Sequence, residues 1–116
     1  VLFGKKGNAF LLDCKDLSHN YIPINLDGYS WVLVNSNIKH NLAVDSEYNK
    51  RRISCENIVK EVQKIKPEIK SLRDVTIEDL NNLTSVSCTI DIKRAKYVIE
   101  ENDRVRHMMK VLTMML

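Results

Sequence analysis

Along this chain the spacing of apolar residues changes once. Up to about Ala43 they come in short runs, and beyond it they recur every three or four positions. Ala9-Phe10-Leu11-Leu12-Asp13-Cys14 follows the turn signal Gly7-Asn8 and reads as a buried strand. Lys15 to Asn20 is polar and loop-like. Tyr21-Ile22-Pro23-Ile24 is extended, and Pro23 confines it to a sheet edge or a strand end because proline has no N–H for a ladder. Asp27-Gly28 is a hairpin-type turn ahead of a third run, Tyr29-Ser30-Trp31-Val32-Leu33-Val34. Connections this short favour antiparallel pairing, since a parallel crossover needs a dozen or more residues.

From Asp45 onward the period is helical. Asp45 or Ser46 can cap a helix whose apolar stripe is Cys55, Ile58, Val59, Val62 and Ile65, and Pro67 ends the run. Thr76-Ile77-Glu78-Asp79 resembles a capping box, with Asp where Glu or Gln is usual, before a short helix through Leu80 and Leu83. A last helix runs from about Asp91 to near the terminus. Its stripe is Ile92, Ala95, Val98, Ile99, Val105, Met109, Leu112 and Leu116, interrupted by Asn102. The pattern predicts an α+β fold of about three antiparallel strands followed by three helices, with a boundary near Ala43.

Composition narrows this little. The chain has 116 residues, 44% hydrophobic and 28% charged, which suits one small domain. Net charge is +3, and the excess lies between Tyr48 and Lys70, where seven Lys/Arg stand against three Glu. A solvated helix face is the ordinary meaning of such a run. No aromatics interleave with it in sequence as a single-strand binder requires, so no nucleic-acid partner is expected. Cys14, Cys55 and Cys88 are odd in number and far apart, which fits packed thiols in a reducing cytoplasm better than a disulfide framework. Val1-Leu2-Phe3 runs at once into Gly4-Lys5-Lys6, which is no leader pattern, and the apolar runs are far below the ~20 residues of a membrane span. The expectation is a soluble chain with no membrane partner.

Most candidate chemistry dissolves on inspection. His19, His40 and His107 are far from one another, and no second pair joins Cys14 and His19 to complete a zinc set, so no metal site is expected. Cys55 and His40 could in principle form a nucleophile pair, but Cys55 lies on a helix stripe, where an inert packed thiol is the simpler reading. Gly4-Lys5-Lys6-Gly7 lacks the glycine run and Lys-Ser/Thr ending of a phosphate loop, and reads as a tight basic turn. Asp13 and Asp16 have no evident catalytic partner. What survives is Tyr48. The run Val32 to Leu42 leads from a predicted strand through a polar Asn/Ser loop into Ser46-Glu47-Tyr48-Asn49-Lys50-Arg51-Arg52, the kind of junction that holds ligand groups between rigid elements. A tyrosine in the first turn of a helix can bury its ring and offer its hydroxyl to a neutral sugar, or stand at the rim of the core with that hydroxyl in water. The residues alone leave both readings open.

The same segments resemble galactokinases, sugar kinases of the GHMP superfamily. Phe3-Gly4-Lys5-Lys6-Gly7-Asn8-Ala9 with Leu11-Leu12-Asp13-Cys14 looks like the stretch after that family's Met-Asp-Gln motif. Tyr21-Ile22-Pro23-Ile24-Asn25-Leu26, Asn35-Ser36-Asn37-Ile38-Lys39-His40, Ser46 to Arg52, Ser71-Leu72-Arg73-Asp74-Val75 and Arg94-Ala95-Lys96-Tyr97-Val98 come in the family's order. The resemblance implies that Tyr48 contacts galactose and that Lys39 lies near the phosphoryl-transfer centre. It also implies a parent enzyme that moves the ATP γ-phosphate to the anomeric hydroxyl of galactose with Mg2+. The family's general-base aspartate, in the Met-Asp-Gln motif, would lie just upstream of Val1. The Gly-Glu-His sugar motif, the Gly/Ser-rich phosphate loop and the C-terminal Gly-rich motif are not in these 116 residues, and Asn41 to Asp45 is slightly longer than the family pattern.

The expectation is therefore an internal fragment of the two-domain GHMP fold. Residues 1–43 would end the N-terminal α+β domain and 44–116 would begin the C-terminal domain. Such a chain is too short to hold both nucleotide and sugar, so neither activity nor binding of ATP and Mg2+ is expected of it alone. It would self-associate through exposed strand edges or its C-terminal helix. Two alternatives remain: a non-catalytic galactokinase-like sugar sensor, and an interaction module that keeps only the scaffold. Galactose and N-acetylgalactosamine are not distinguished.

Overall fold

The computed structural model describes residues 2–38, 46–83 and 89–114. The order of elements is β1 (Asn8–Leu12), β2 (His19–Pro23), α1 (Ser46–Gln63), a 3-10 helix (Leu72–Asp74), α2 (Ile77–Asn82) and α3 (Thr89–Met114). The chain divides into two compact units, Val1–Asn35 with Arg104–Leu116, and Ser36–Asp103.

In the first unit β1 and β2 pair antiparallel, with Asn8 opposite Pro23, Phe10 opposite Tyr21 and Leu12 opposite His19. Two aspartates build the connecting turn. Asp13 accepts the Lys15 N–H at 2.9 Å and Asp16 accepts the Ser18 N–H at 2.8 Å, so both carboxylates shape backbone. The Ser18 hydroxyl and N–H hold the Asp16 carboxyl below its ordinary pKa. Asp13 lies one residue beyond β1 and not within it. Leu17 takes the strained φ of +62° that closes the turn, its N–H bonding the Asp13 carbonyl at 2.8 Å. One face of the hairpin is aromatic. Phe10 lies 5.3 Å from Tyr21 and 5.2 Å from His19 between ring centres, and the Tyr21 hydroxyl donates to the Phe3 carbonyl at 2.8 Å.

The third predicted strand does not form among the described residues. The turn at Asp27-Gly28 is present, with Gly28 at φ +83° and the Tyr29 N–H on the Leu26 carbonyl at 2.9 Å, but residues 30–38 pair with no strand. Trp31, Val32 and Val34 are exposed and Leu33 is 100% exposed. A strand exists only through a ladder partner, so an apolar run without one stays coil whatever its propensity.

The three helices, α1 and α2 in the second unit and α3 running from it into the first at Arg104, form as predicted, because each closes its own backbone bonds. α1 stops at Gln63, four residues before Pro67, which has no N–H to bond the Gln63 carbonyl and whose ring would clash with it in a continued helix. The chain turns there, with the Lys66 N–H on the Val62 carbonyl at 2.8 Å and Gln63 Nε2 donating to the Ile69 carbonyl at 2.7 Å. Ile65 falls past the helix end and is exposed, which corrects its place on the stripe. The buried line of α1 is Ser54, Ile58 and Val62, with Cys55 and Val59 only half-buried beside it. The predicted capping box is present at α2: Thr76 Oγ1 accepts the Asp79 N–H at 3.2 Å, and Asp79 Oδ2 accepts the Thr76 N–H at 2.9 Å. Asp79 also pairs with Lys66, which is the main cause of its depressed pKa. Ile58, Val62, Ile69, Val75, Leu80, Leu83, Ala95 and Ile99 make one buried cluster. On α3 the line is Ile92, Ala95 and Ile99. Val98 and Val105 are exposed, and Met109 and Leu112 half-buried, so the predicted stripe is covered only in part among the described residues. Asp45 and Leu116 lie outside the described residues. No described helix is long and apolar enough to cross a membrane.

Candidate functional site

Tyr48, Arg51, Arg52 and Cys55 stand at i, i+3, i+4 and i+7 on α1, a spacing that puts them on one helix face. With Lys93, Arg94 and Tyr97 of α3 they line an open cleft of about 680 Å³. Tyr48 is 54% exposed, so its ring forms part of the cleft wall without being closed into the core. The size is that of a small-molecule site, and its groups combine aromatic faces with cationic and hydroxyl donors.

A buried polar junction holds the two helices beside this cleft. Ser54, 3% exposed, donates its hydroxyl to the Lys50 carbonyl at 3.0 Å, the usual back-bond of a helical serine. One guanidinium nitrogen of Arg94 donates to the same Ser54 oxygen at 3.0 Å, and another lies 3.5 Å from Glu47 Oε2. Asn57 donates to Asp91 at 3.3 Å. Other charges on α1 pair along their own helix, Lys50 with Glu47 at 2.7 Å, Arg52 with Glu56 at 2.8 Å and Lys64 with Glu61 at 2.7 Å. That is the solvated basic face expected of the Tyr48 to Lys70 run, and exposed pairs of this kind contribute little because water screens them.

Partial burial, reinforced by the Asp91 carboxylate, pushes the Cys55 thiol above its ordinary pKa against the opposing pull of Arg94. A neutral thiol is a poor nucleophile, which agrees with a packed role. Lys39, His40 and Cys88 lie outside the described residues, and with them the expected phosphoryl-transfer neighbour and the Cys55–His40 pair. His19 packs tilted against Phe10 in the hairpin's aromatic face, and no group of three or more His, Cys, Asp or Glu comes together as a metal site among the described residues. Gly4 to Gly7 is a turn, closed by the Asn8 N–H on the Lys5 carbonyl at 3.1 Å, with Lys5 Nζ 5.7 Å from the Tyr21 ring centre.

Sequence reasoning singled out Tyr48 and missed what surrounds it. Two signals were available. Ser54 is a polar residue in register with Ile58 and Val62, and Arg94 flanks the Ile92–Ala95–Ile99 stripe where its side chain can reach a neighbouring helix.

No family model matches the chain. Individual proteins do. The chain is 46% identical over 105 residues to a protein named galactokinase from Thermotoga maritima, covering 90% of this chain and 27% of that one. It is 43% identical over 110 residues to a galactokinase from Clostridium beijerinckii, covering 94% of this chain and 28% of that one. The similarity is to galactokinases. In structure it extends to the Lactococcus lactis galactokinase solved in complex with galactose, with a TM-score of 0.78 and 29% identity over 95% of this chain and 28% of that one. The chain thus spans little more than a quarter of the length of the galactokinases it matches. Of its galactokinase-like segments, Ser46 to Arg52 and Arg94 to Val98 supply cleft residues. Ser71 to Val75 instead forms the 3-10 helix, where Asp74 Oδ2 accepts from the Lys70 and Ser71 N–H groups at 3.1 and 2.9 Å.

Proposed function

We propose that this chain is a segment of a galactokinase, an enzyme that transfers the ATP γ-phosphate to the anomeric hydroxyl of galactose, and that Tyr48 contributes to its sugar site. The observation that carries the reading is the extent of the similarity. It runs through about nine-tenths of this chain in sequence, and the structural likeness includes a galactokinase bound to galactose. Residues 1–43 would close that enzyme's N-terminal α+β domain and 44–116 would open its C-terminal domain.

The chemistry of the cleft suits the sugar side of the reaction. A neutral hexose is held by fixed donors and acceptors and by contact with aromatic faces, and a tyrosine offers both. Mg2+ and the triphosphate are assigned, as part of the same proposal, to other parts of the enzyme. The general-base aspartate is assigned outside these 116 residues. Lys39 keeps a proposed place near the transferring phosphoryl group, where a cation would offset developing charge.

Two measurements test this. The complete reading frame that encodes this segment, expressed and purified, should release ADP in a galactose-dependent manner. The 116-residue chain alone should not, because positioning and electrostatic stabilisation supply nearly all of phosphoryl-transfer catalysis. In the complete protein, Tyr48→Phe should raise the galactose KM by about 0.5–1.5 kcal/mol, the net worth of one neutral hydrogen bond, and leave the ATP KM alone. Galactose binding without any ADP release by the complete protein would replace the kinase reading with that of a sugar sensor.

A further inference from the structure

We infer that Arg94 is a positioning residue for the sugar site: its guanidinium ties to α3 the stretch of α1 that carries Tyr48. This rests on the reading of Tyr48 as a sugar contact. The geometry is a clamp at two points. Glu47 and Ser54 lie seven residues apart on one face of α1, on either side of Tyr48 in sequence, and Arg94 reaches both, at 3.5 Å and 3.0 Å. Both contacts come from one side chain that is itself mostly buried, at 23% exposure.

The Ser54 contact is the firmer of the two. Its hydroxyl is buried and already donates its one proton to the Lys50 carbonyl, so in this junction the oxygen accepts from Arg94. Removing the guanidinium takes the donor from a buried lone pair, which costs more than the loss of an exposed bond. The Glu47 contact acts on the turn that matters most. The first N–H groups of a helix have no partner one turn back, so that turn is the part of α1 most prone to fray. Glu47 stands one residue before Tyr48, and tying it to α3 limits how far the tyrosine hydroxyl can wander. Lysine cannot replace this arginine, because a single ammonium cannot supply two planar donors aimed at two acceptors.

The test is a set of variants of the complete protein, read as separate kcat and KM values for galactose and ATP. Arg94→Met should raise the galactose KM about two- to tenfold, the scale of one lost hydrogen bond, with the ATP KM unchanged and kcat within about twofold. Arg94→Lys should not restore the galactose KM. If Arg94 acts through Tyr48, the Tyr48→Phe/Arg94→Met double variant should be no worse for galactose than Tyr48→Phe alone. Should Arg94→Met fail to fold, Glu47→Gln removes the charge from the first-turn contact, leaves the Ser54 bond in place, and should raise the galactose KM in the same selective way. A galactose KM that Tyr48→Phe raises but neither Arg94→Met nor Glu47→Gln changes overturns the clamp and spares the sugar site. Additive effects in the double variant also overturn it. An unchanged galactose KM in Tyr48→Phe alone overturns the sugar site, and the clamp with it.

Discussion

The two compact units of this chain use apolar residues very differently. The helical unit, Ser36–Asp103, gathers Ile58, Val62, Ile69, Val75, Leu80, Leu83, Ala95 and Ile99 into one buried cluster. In the other unit Ile22 is the one buried apolar side chain among the described residues, while Trp31, Val32, Leu33 and Val34 stand exposed. The difference arises from where backbone hydrogen bonds are closed. A helix completes them within its own segment, and a short linker returns its apolar face onto the next helix. A strand completes them only on another strand, so a hairpin of five-residue strands buries little, and an apolar run beside it gains nothing by extending alone.

Substitutions should expose this contrast, and the largest effect belongs to the helical core. Ile58→Ala or Leu80→Ala should cost about 2–5 kcal/mol by removing fully buried methyl and methylene groups, enough to abolish a cooperative melt of the isolated chain followed by helical circular dichroism. A loss under about 1 kcal/mol would mean that the cluster is loosely packed and the contrast overstated.

Next in size is the α2 cap. Thr76→Ala should cost about 0.5–2 kcal/mol in the same melt, the usual range for an N-cap residue. The carboxylate of that cap also sets a pH dependence. Lys66, and then the Thr76 donors, hold Asp79 below its ordinary pKa, so its stabilising contribution is complete above about pH 4, the unfolded value, and is lost as pH falls through the lower folded value. Melts taken from about pH 5 down to about pH 2 should therefore lose stability in the parent chain. In Asp79→Asn the change should be smaller and the starting stability lower. Equal slopes in the two proteins would show that other carboxylates carry the acid dependence.

The smallest stability effect is expected in the exposed run. Leu33→Lys should change the melt by no more than about 0.5 kcal/mol, because Leu33 touches nothing it could lose. It should instead reduce self-association of the isolated chain, since an exposed apolar run invites pairing with another copy and a lysine there opposes it. Light scattering at micromolar concentration reads this directly. A parent chain that is monomeric throughout would show that this exposed run does not drive pairing between copies.

Helix starts and stops were legible in the residues: the Thr76/Asp79 box, the break before Pro67, and the heavily apolar stripe around Ala95 and Ile99 are local signals, complete within one turn or two. Tyr48 was also legible as a first-turn residue. The partners of its helix were not. Arg94 meets Ser54 across 40 positions of sequence, and Tyr97 joins the cleft wall only because α3 lies against α1 there. The exposed fate of Tyr29 to Val34 was hidden for the same reason, since its composition is that of a strand.

By itself, then, the sequence determined what short-range physics settles: helical period, caps, turn residues, and the order of motifs that makes the chain similar to galactokinases. Tertiary structure decided which apolar runs are covered, that Ser54 and not Cys55 leads the buried line of α1, and that Arg94 reaches across to the helix bearing Tyr48. Those outcomes depend on two distant segments meeting, and no window of a few residues contains both partners.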